Sequence, residues 1–387
     1  MNIKRLSRRE ALKGIGLMSG GVLLAQGLLG QGCSRRVKPY VVDRVPSSRP
    51  NFRHFTPVNV AAERIIRTTV GLRPFRPSGF VVRAESLGDK LLVDNYGHGG
   101  GGMTLSWGTA VLAADLVAES GRSGPAAVIG SGVVGLSTAR ILQRRGFDVT
   151  IYARDFPPET TSNMSGASWY PSLVAAQANR TPAFDAQFER AARIAYRMYQ
   201  GLVGDYYGVR WRQQYTLSDE PSYDSPWNYE MIRDLFPASQ RLKPGEHPFR
   251  GKYAQVDNMM FIEPPVYLNA LMRDFQIAGG RTRRVAFLEP RQVASLSESV
   301  IVNCTGLGSR DLFGDRELTP VKGQLTVLLP QPDVDYAMAT NDLYMFPRRD
   351  GILLGGTHER GVETLEPNRD AERRILEGHK RIFDDMR

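Results

Sequence analysis

The clearest pattern of apolar and polar positions lies between Ala126 and Asp155. The apolar run from Ala126 to Ile129 predicts a buried strand, because a strand of a parallel sheet is covered on both faces. Three glycines follow it, the spacing from about Val133 to Arg144 predicts a helix, and Val149 to Tyr152 predict a second strand. A strand, a glycine turn, a helix and a strand in this order are typical of a dinucleotide-binding site.

The three glycines have separate roles in such a turn. Gly130 makes the turn, Gly132 lets the backbone approach a pyrophosphate, and Gly135 lets the helix pack close to the strand. We expect the pyrophosphate to lie on the amides that begin the helix, which include those of Val133 and Val134.

The residues after the second strand leave the identity of the dinucleotide open. Asp155 is a candidate for the ribose-binding acid that is expected roughly 20 residues after the turn. Arg154 comes just before it and is a candidate for holding a 2′-phosphate instead. This stretch alone is therefore compatible with FAD, NAD and NADP.

A second glycine-rich stretch lies upstream. Five glycines fall between Gly97 and Gly102 and lead directly into a helical pattern from Met103 to Ala118. A flexible linker is the simpler interpretation, but linkers rarely continue into an amphipathic helix. We therefore predict that this loop contacts a ligand. His98 within it is expected to make structural hydrogen bonds rather than to act as a base or a metal ligand.

The other elements predict an α/β fold with a second sheet. Arg73 and Arg76 lie near the start of a strand, where a guanidinium group can face a cavity. A core helix is predicted within residues 181–203. The remaining predictions are helices at Pro264–Ala278 and Glu372–Phe383 and strands at Val209–Leu217, Tyr253–Ile262, Arg283–Leu288, Ser299–Asn303, Gly323–Leu329, Leu343–Phe346 and Gly351–Gly355.

Composition narrows the functional classes. With 387 residues and 42% hydrophobic residues, the chain is long enough for two domains with sizeable cores. The net charge of +10 comes without a basic cluster interleaved with aromatic residues, so we expect a solvated basic surface and no nucleic-acid partner. The two cysteines, Cys33 and Cys304, and the five histidines show no spacing typical of a metal site.

Residues 1–33 are predicted to be an export signal. The segment from Ser7 to Lys13, SRREALK, resembles a twin-arginine motif, and a weakly hydrophobic stretch from Gly14 to Gly30 follows it. Cys33 follows a sequence that imperfectly resembles a lipoprotein cleavage site, so a lipid anchor and plain signal cleavage are both compatible with it. The expected location is periplasmic or membrane-anchored on the outer side. Residues 34–58 are rich in proline and polar residues and are predicted to be a tether.

Several separate segments resemble the D-amino-acid oxidase family of FAD flavoproteins. They are GLRPFRP, NYGHGGGGMTLSWG, VIGSGVVGLSTA, TTSNMSGASWYP, VNCTG and LYMFPRRDGILLGGT, and together they span most of residues 68–375. The resemblance implies noncovalent FAD, a Rossmann-like FAD-binding domain and a mainly antiparallel substrate domain. In the family the VIGSGVVGL-like block comes first, whereas here it comes after the GLRPFRP-like and NYGHGG-like blocks. The chain therefore resembles a circular permutant joined through Glu119–Pro125.

The domain limits follow from placing these blocks on the two sheets. The FAD-binding domain is predicted to comprise residues 89–175, 263–320 and 351–362. The substrate domain is predicted to be discontinuous, with residues 59–88, 176–262, 321–350 and 363–387.

The resemblance also implies roles for individual residues. Arg73 and Tyr344 bind the substrate carboxylate, the carbonyl of Gly100 accepts a hydrogen bond from the amine, and Thr104 stabilises negative charge on the reduced flavin. A second active-site tyrosine of the family is replaced by Thr340, and Tyr170 is a candidate to substitute for it in part. The implied cofactor contacts are Gly99, Gly102, Met103, Thr104, Gly130, Gly132, Val133, Val134, Gly135, Arg154, Asp155, Thr160, Thr161, Ser162, Gly166, Ala167, Val285, Thr305 and Gly306.

The activity that the resemblance implies is oxidative deamination of a D-amino acid. A hydride passes from the α-carbon to the flavin, and the products are an imino acid or 2-oxo acid, ammonia and hydrogen peroxide. Two alternatives stay open. One is a dehydrogenase of a D-amino acid, glycine or sarcosine that passes electrons to a quinone or carrier instead of dioxygen. The other is a flavin-binding protein without turnover.

Overall fold

The computed structural model describes residues 55–221 and 225–386. The predictions for the export signal, for Cys33 and for almost all of the tether lie outside these ranges. Within them, no helix is both long and apolar enough to cross a membrane.

The described chain contains fifteen strands and eight α-helices. The strands are β1 Ile65–Phe75, β2 Val81–Leu87, β3 Lys90–Tyr96, β4 Pro125–Ile129, β5 Asp148–Ala153, β6 Val209–Ser218, β7 Gln240–Leu242, β8 Tyr253–Ile262, β9 Arg281–Arg284, β10 Val300–Asn303, β11 Thr319–Leu328, β12 Ala337–Ala339, β13 Tyr344–Arg348, β14 Gly351–Gly355 and β15 Glu359–Arg360. The helices are α1 Gly102–Glu119, α2 Val133–Arg144, α3 Pro182–Gln200, α4 Trp227–Glu230, α5 Pro264–Ile277, α6 Pro290–Ala294, α7 Gly308–Leu312 and α8 Arg369–Asp384.

The first sheet has six strands in the order β2-β3-β10-β4-β5-β9. Every neighbouring pair is parallel except β2 with β3. Its two central strands, β10 and β4, are mainly apolar and almost wholly buried, and helices α1 and α2 pack on the sheet because both carry buried apolar residues. The prediction of a Rossmann-like unit is confirmed. We refer to this as the parallel sheet.

The second sheet has nine strands, eight of them in the order β1-β11-β14-β13-β12-β6-β8-β7, while β15 pairs with β11. All neighbouring pairs are antiparallel except β12 with β6. Successive side chains of a strand point to opposite faces, so the register decides which residues share a face. We refer to this as the antiparallel sheet.

Two strands lie in a different sheet from the one that the predicted domain limits imply. β2 falls in the range assigned to the substrate domain, but it pairs along its whole length with β3 of the parallel sheet. β14 falls in the range assigned to the FAD-binding domain, but it pairs with β11 and β13 of the antiparallel sheet. The predicted strand at Arg283–Leu288 is also displaced, because β9 ends at Arg284.

The first strand lies close to the last helix. β1 pairs with β11, and the hydroxyl of Thr68 donates a hydrogen bond to Glu372 of α8 at 2.5 Å. The link between α1 and β4 is short, and Gly121 and Gly124 within it are exposed with positive φ angles of 69° and 94°. The predicted closeness of the first strand to the last helix and the predicted short surface link are therefore both observed.

Candidate active site

A cavity of about 1020 Å³ opens between the two sheets. One wall consists of the loops at the carboxyl ends of β3, β4, β5 and β10, and we call it the loop wall. The other wall is one face of the antiparallel sheet, and we call it the sheet wall. Ligands of open parallel sheets bind at the carboxyl ends of the strands, so the loop wall is the place expected for a dinucleotide.

The turn between β4 and α2 is held by close backbone contacts. A Cβ atom on Gly130 would lie 2.4 Å from the Cys304 carbonyl oxygen, and the φ angle of Gly130 is 107°. A Cβ atom on Gly135 would lie 2.0 Å from the Gly130 carbonyl oxygen. Gly135 therefore lets the helix pack closely on the turn, as its spacing predicts, and its place among the cofactor contacts stays a prediction.

Gly132 differs from its two neighbours because the space beside it belongs to the cavity. A Cβ atom there would meet only the hydroxyl oxygen of Ser162, at 3.1 Å, and its φ angle of −66° suits any residue. The first amides of a helix have no acceptor within the helix. The Val133 amide donates to the Ser162 hydroxyl at 3.0 Å, and Val134 lines the cavity beside it.

The second glycine loop brings another helix start to the same place. Gly102 begins α1, and a Cβ atom on it would lie 3.9 Å from the side chain of Val133, the first residue of α2. Two positive helix ends therefore face one part of the cavity, which favours an anionic ligand. Gly99 and Gly100 also line it, but they are packed against the backbone of Ser172 and Leu173, with no room for side chains.

Two residues of the second glycine loop and its helix, His98 and Thr104, are buried. The ring of His98 is buried, contacts the Thr109 hydroxyl at 3.0 Å and stacks on Phe80. Burial lowers the pKa of His98 to about 3, so the imidazole is neutral. Thr104 is buried in α1 behind the loop wall, and its hydroxyl has no hydrogen-bond partner in the described part of the chain. Its role in stabilising negative charge on the reduced flavin stays a prediction.

The remaining predicted cofactor contacts line the loop wall. Arg154 and Asp155 form an ion pair at 2.7 Å directly after β5, and the amide of Val285 donates to the Ala153 carbonyl at 2.9 Å. The other predicted residues on the cavity surface are Met103, Thr160, Thr161, Ser162, Gly166, Ala167, Thr305 and Gly306.

Arg73 and Tyr344 meet on the sheet wall. The Arg73 guanidinium group lies over Gly323, where a Cβ atom would be 2.5 Å from it, and donates to the Thr357 carbonyl at 3.3 Å. Burial raises the pKa of Tyr344, and the positive charge and hydrogen bond of Arg73 oppose that shift. No carboxylate in the described ranges forms an ion pair with Arg73. The cavity therefore holds a cation that lacks an anion.

Arg76 has a different environment although it is only three residues away. It forms ion pairs with Asp315 at 3.0 Å and with Glu317 at 2.5 Å, and it does not line the cavity. Of the two arginines in the GLRPFRP segment, only Arg73 is placed to bind a ligand.

Comparison with known proteins identifies the family. A sequence profile of FAD dependent oxidoreductases matches residues 126–387. The chain is 32% identical over 263 residues to a D-amino-acid oxidase of Rubrobacter xylanophilus, covering 65% of this chain and 74% of that protein. It is 32% identical over 273 residues to a D-amino-acid oxidase of Streptomyces coelicolor, covering 66% and 76% of the two chains. A structure of glycine oxidase from Geobacillus kaustophilus is 16% identical, with a TM-score of 0.49 and coverage of 67% and 79%.

The chain belongs to the FAD-dependent oxidoreductases. The fit of FAD to this oxidoreductase can be judged from the open space beside Gly132 and from the two helix starts at Gly102 and Val133, which suit a pyrophosphate. Asp155 and Arg154 lie where the adenosine ribose is expected after the second strand. The loop wall therefore has the donors and the space that FAD requires.

Sequence reasoning missed the far part of the sheet wall of this oxidoreductase. Gln214 and Thr216 of β6 and Gln255 and Asp257 of β8 line the cavity, as does Tyr229. The alternation of polar and apolar residues in β6 and β8 was visible in the sequence. The face that looks into the cavity depends on pairing with β12 and β13, which no local pattern reveals.

Proposed function

We propose that this oxidoreductase oxidises a D-amino acid at its α-carbon, giving an imino acid that hydrolyses to a 2-oxo acid and ammonia. The observation that carries the proposal is Arg73, a cavity-lining guanidinium group with no carboxylate partner in the described chain and with Tyr344 beside it. A planar guanidinium group binds a carboxylate through two parallel hydrogen bonds. The names of the two bacterial relatives support the D-amino-acid substrate class.

The residues of the chain would act mainly by orientation. Arg73 and Tyr344 would hold the carboxylate, and the carbonyl of Gly100 would accept a hydrogen bond from the neutral amine. When bound, FAD would accept the α-hydrogen as a hydride and pass two electrons to dioxygen, giving hydrogen peroxide. Because a neutral amine needs no protein base, the fixed direction of the α-hydrogen is the main contribution of the site.

The positive charge of Arg73 also contributes to the pKa of a neighbouring cavity residue, His358. Partial desolvation at the cavity surface, followed by the positive charge of Arg73, lowers the pKa of His358 although its side chain is exposed. His358 lines the same cavity, and the lowered pKa favours its neutral form. Arg73 is the cationic group available for a substrate carboxylate at this position.

Anaerobic bleaching of the flavin tests the proposal. The protein is mixed with D-amino acids, the matching L-amino acids, glycine and sarcosine, and the absorbance of oxidised flavin is followed. Bleaching by D-amino acids and not by their L-enantiomers is the expected result. Bleaching only by glycine or sarcosine, or by none of these compounds, contradicts it. Oxygen uptake with peroxide release then separates an oxidase from a dehydrogenase that uses a quinone or carrier.

We also propose that FAD is bound noncovalently. Cys304 is buried, and burial raises the pKa of its thiol to about 12, so it has little thiolate to attach a flavin. His98 is enclosed by Phe80 and Thr109. Acid precipitation of the protein should leave the yellow colour in the supernatant. Colour that stays with the pellet contradicts the proposal.

A circularly permuted order is a further part of the proposal. One supporting observation is that the family match begins at residue 126, although residues before it also form part of the loop wall. The other is that β1 lies close to α8. A gene that encodes residues 125–386, a flexible linker and then residues 55–121 restores the order of the family. We expect its product to fold and bind FAD, whereas an insoluble, colourless product would argue against the permutation.

Export by the twin-arginine route, with Cys33 as a possible lipid anchor, is proposed from the sequence alone. Fractionation of cells that express the full chain and a variant with Arg8 and Arg9 changed to lysine tests the route. Metabolic labelling with a fatty acid, compared between the full chain and Cys33→Ala, tests the anchor.

A further inference from the structure

We propose that Asp257 is a binding site for the cationic end of the substrate side chain, so that the preferred substrates are basic D-amino acids. This inference rests on the proposed function and names the substrate class within it.

Asp257 is a buried carboxylate that lacks a cationic partner. It is 6% exposed and lines the cavity from β8. Its hydrogen-bond donors are neutral: the Ser239 hydroxyl, and the Gln255 amide at 3.0 Å and 3.3 Å from the two carboxylate oxygens. No lysine or arginine in the described ranges forms an ion pair with it. Burying a carboxylate without a cation costs free energy, and aspartates are rarely buried unless they are paired.

The arginines on the strands next to Asp257 do not pair with it, because they are exposed or hydrogen-bonded to other groups. Arg241 of β7 is opposite Gln255, but it is exposed and forms no ion pair with Asp257. Arg212 of β6 is directed to the Asp335 carbonyl at 2.9 Å. The charge of Asp257 is therefore left for a ligand in the cavity.

Strand register places Asp257 on the same face as the proposed carboxylate anchor. Ala339 of β12 is opposite both Tyr344 of β13 and Thr216 of β6, and Thr216 is opposite Gln255 of β8. Asp257 is two residues from Gln255 and points to the same face. Because β12 and β6 lie between β13 and β8, a cation that reaches Asp257 must be at the end of a long side chain.

The wall around these two polar groups is partly apolar, with Gln214 and Thr216 of β6 as the neutral polar residues between them. Phe346 and Met259 belong to one buried cluster, and Tyr170 and Phe236 pack against it. All four residues line the cavity. The wall therefore offers a cation for the substrate carboxylate, uncharged and partly apolar surface for methylene groups, and a carboxylate for a terminal cation. Lysine and arginine side chains have this order of groups.

The inference is tested with pairs of substrates that differ mainly in the terminal charge. D-Lysine is compared with D-norleucine, and D-arginine is compared with D-citrulline, by anaerobic flavin bleaching and steady-state kcat/KM. A charge-assisted hydrogen bond should make kcat/KM about tenfold to a hundredfold higher for the charged member of each pair. Preference should also fall from D-lysine to D-2,3-diaminopropionate, because the shorter side chain cannot span this uncharged surface.

Variants show whether Asp257 causes the preference. Asp257→Asn should lower the ratio of kcat/KM for D-lysine to kcat/KM for D-norleucine at least about tenfold. Asp257→Glu should restore part of the ratio. Asp94→Asn is the matched control, because Asp94 is also a buried carboxylate but does not line the cavity. It should leave the ratio unchanged.

The outcomes separate this inference from the proposed function. Bleaching by D-norleucine and D-citrulline, without faster bleaching by D-lysine and D-arginine, overturns only the role of Asp257. An unchanged ratio in Asp257→Asn overturns it too. If no D-amino acid bleaches the flavin, the proposed function is wrong and this inference falls with it. If Asp257→Asn fails to fold, the wild-type ratios of kcat/KM for charged and uncharged substrates still test whether basic D-amino acids are preferred.

Discussion

The two walls of the cavity recognise ligands with different parts of the chain. The loop wall presents backbone from short local segments, with Gly132 at the point where a side chain would enter the cavity. The sheet wall presents the side chains of Arg73, Tyr344 and Asp257, which come from three strands far apart in the sequence. A cofactor common to a family can be bound by main chain, whereas a particular substrate requires side chains that can vary without disturbing the cofactor.

The largest effect should come from removing the cation of the sheet wall. Arg73→Leu should lower kcat/KM for a D-amino acid roughly thirtyfold to a few thousandfold, because the substrate carboxylate loses a buried charged partner, worth about 2–5 kcal/mol. The FAD content should stay near normal. Arg76→Leu is the control and should change kcat/KM much less, since Arg76 pairs with Asp315 and Glu317 outside the cavity. Loss of flavin in Arg73→Leu would contradict the separation of the two walls.

A substitution in the loop wall, in contrast, should weaken the binding of FAD. In Gly132→Val the added side chain enters the cavity, where the protein offers only the Ser162 hydroxyl as a close neighbour. We expect the protein to fold and its affinity for FAD to fall about tenfold to a hundredfold, the usual cost of an overpacked contact. Circular dichroism and titration with FAD measure the two quantities. Gly132→Val with normal FAD affinity would show that the pyrophosphate does not approach this glycine.

A smaller effect is expected for the hydroxyl of the sheet wall. Tyr344→Phe keeps the ring that packs against Phe346, at 4.9 Å between centroids, and removes only the group beside Arg73. One lost hydrogen bond to a charged group should lower kcat/KM about tenfold. Steady-state kinetics with the same substrate as for Arg73→Leu makes the comparison direct. An effect as large as that of Arg73→Leu would mean that the tyrosine has a second role.

The smallest effect is a dependence of stability on pH that arises from the buried ring of His98. The folded pKa of His98, about 3, is lower than its ordinary value near 6.5, so between these values the unfolded chain binds more protons. Stability is therefore full above about pH 6.5 and falls as the pH decreases, by about 1.4 kcal/mol per pH unit for this residue. Urea denaturation at pH 7.0 and at about one unit lower should show a smaller loss in His98→Gln than in the wild type.

The difference between the walls also explains what the sequence could predict. The helix Val133–Arg144 is predicted with its observed ends, because the glycine turn and the apolar spacing are local. The sheet to which the β2–β3 hairpin and β14 belong depends on contacts with distant segments, and the predicted domain limits do not follow these sheet boundaries. Asp257 was missed for the same reason, because burial without a cation is a property of the assembled face.

The exposed link at residues 121–125 has a consequence for how the chain could be divided. Cutting there leaves two fragments that share long interfaces, because β1 pairs with β11 over nearly its whole length and β3 pairs with β10. Each fragment contributes one glycine loop to the loop wall. Two separately expressed pieces would therefore be expected to reassemble by complementation, and FAD, which needs both loops, would favour their association by mass action. The return of yellow flavin to mixed fragments would report that assembly directly.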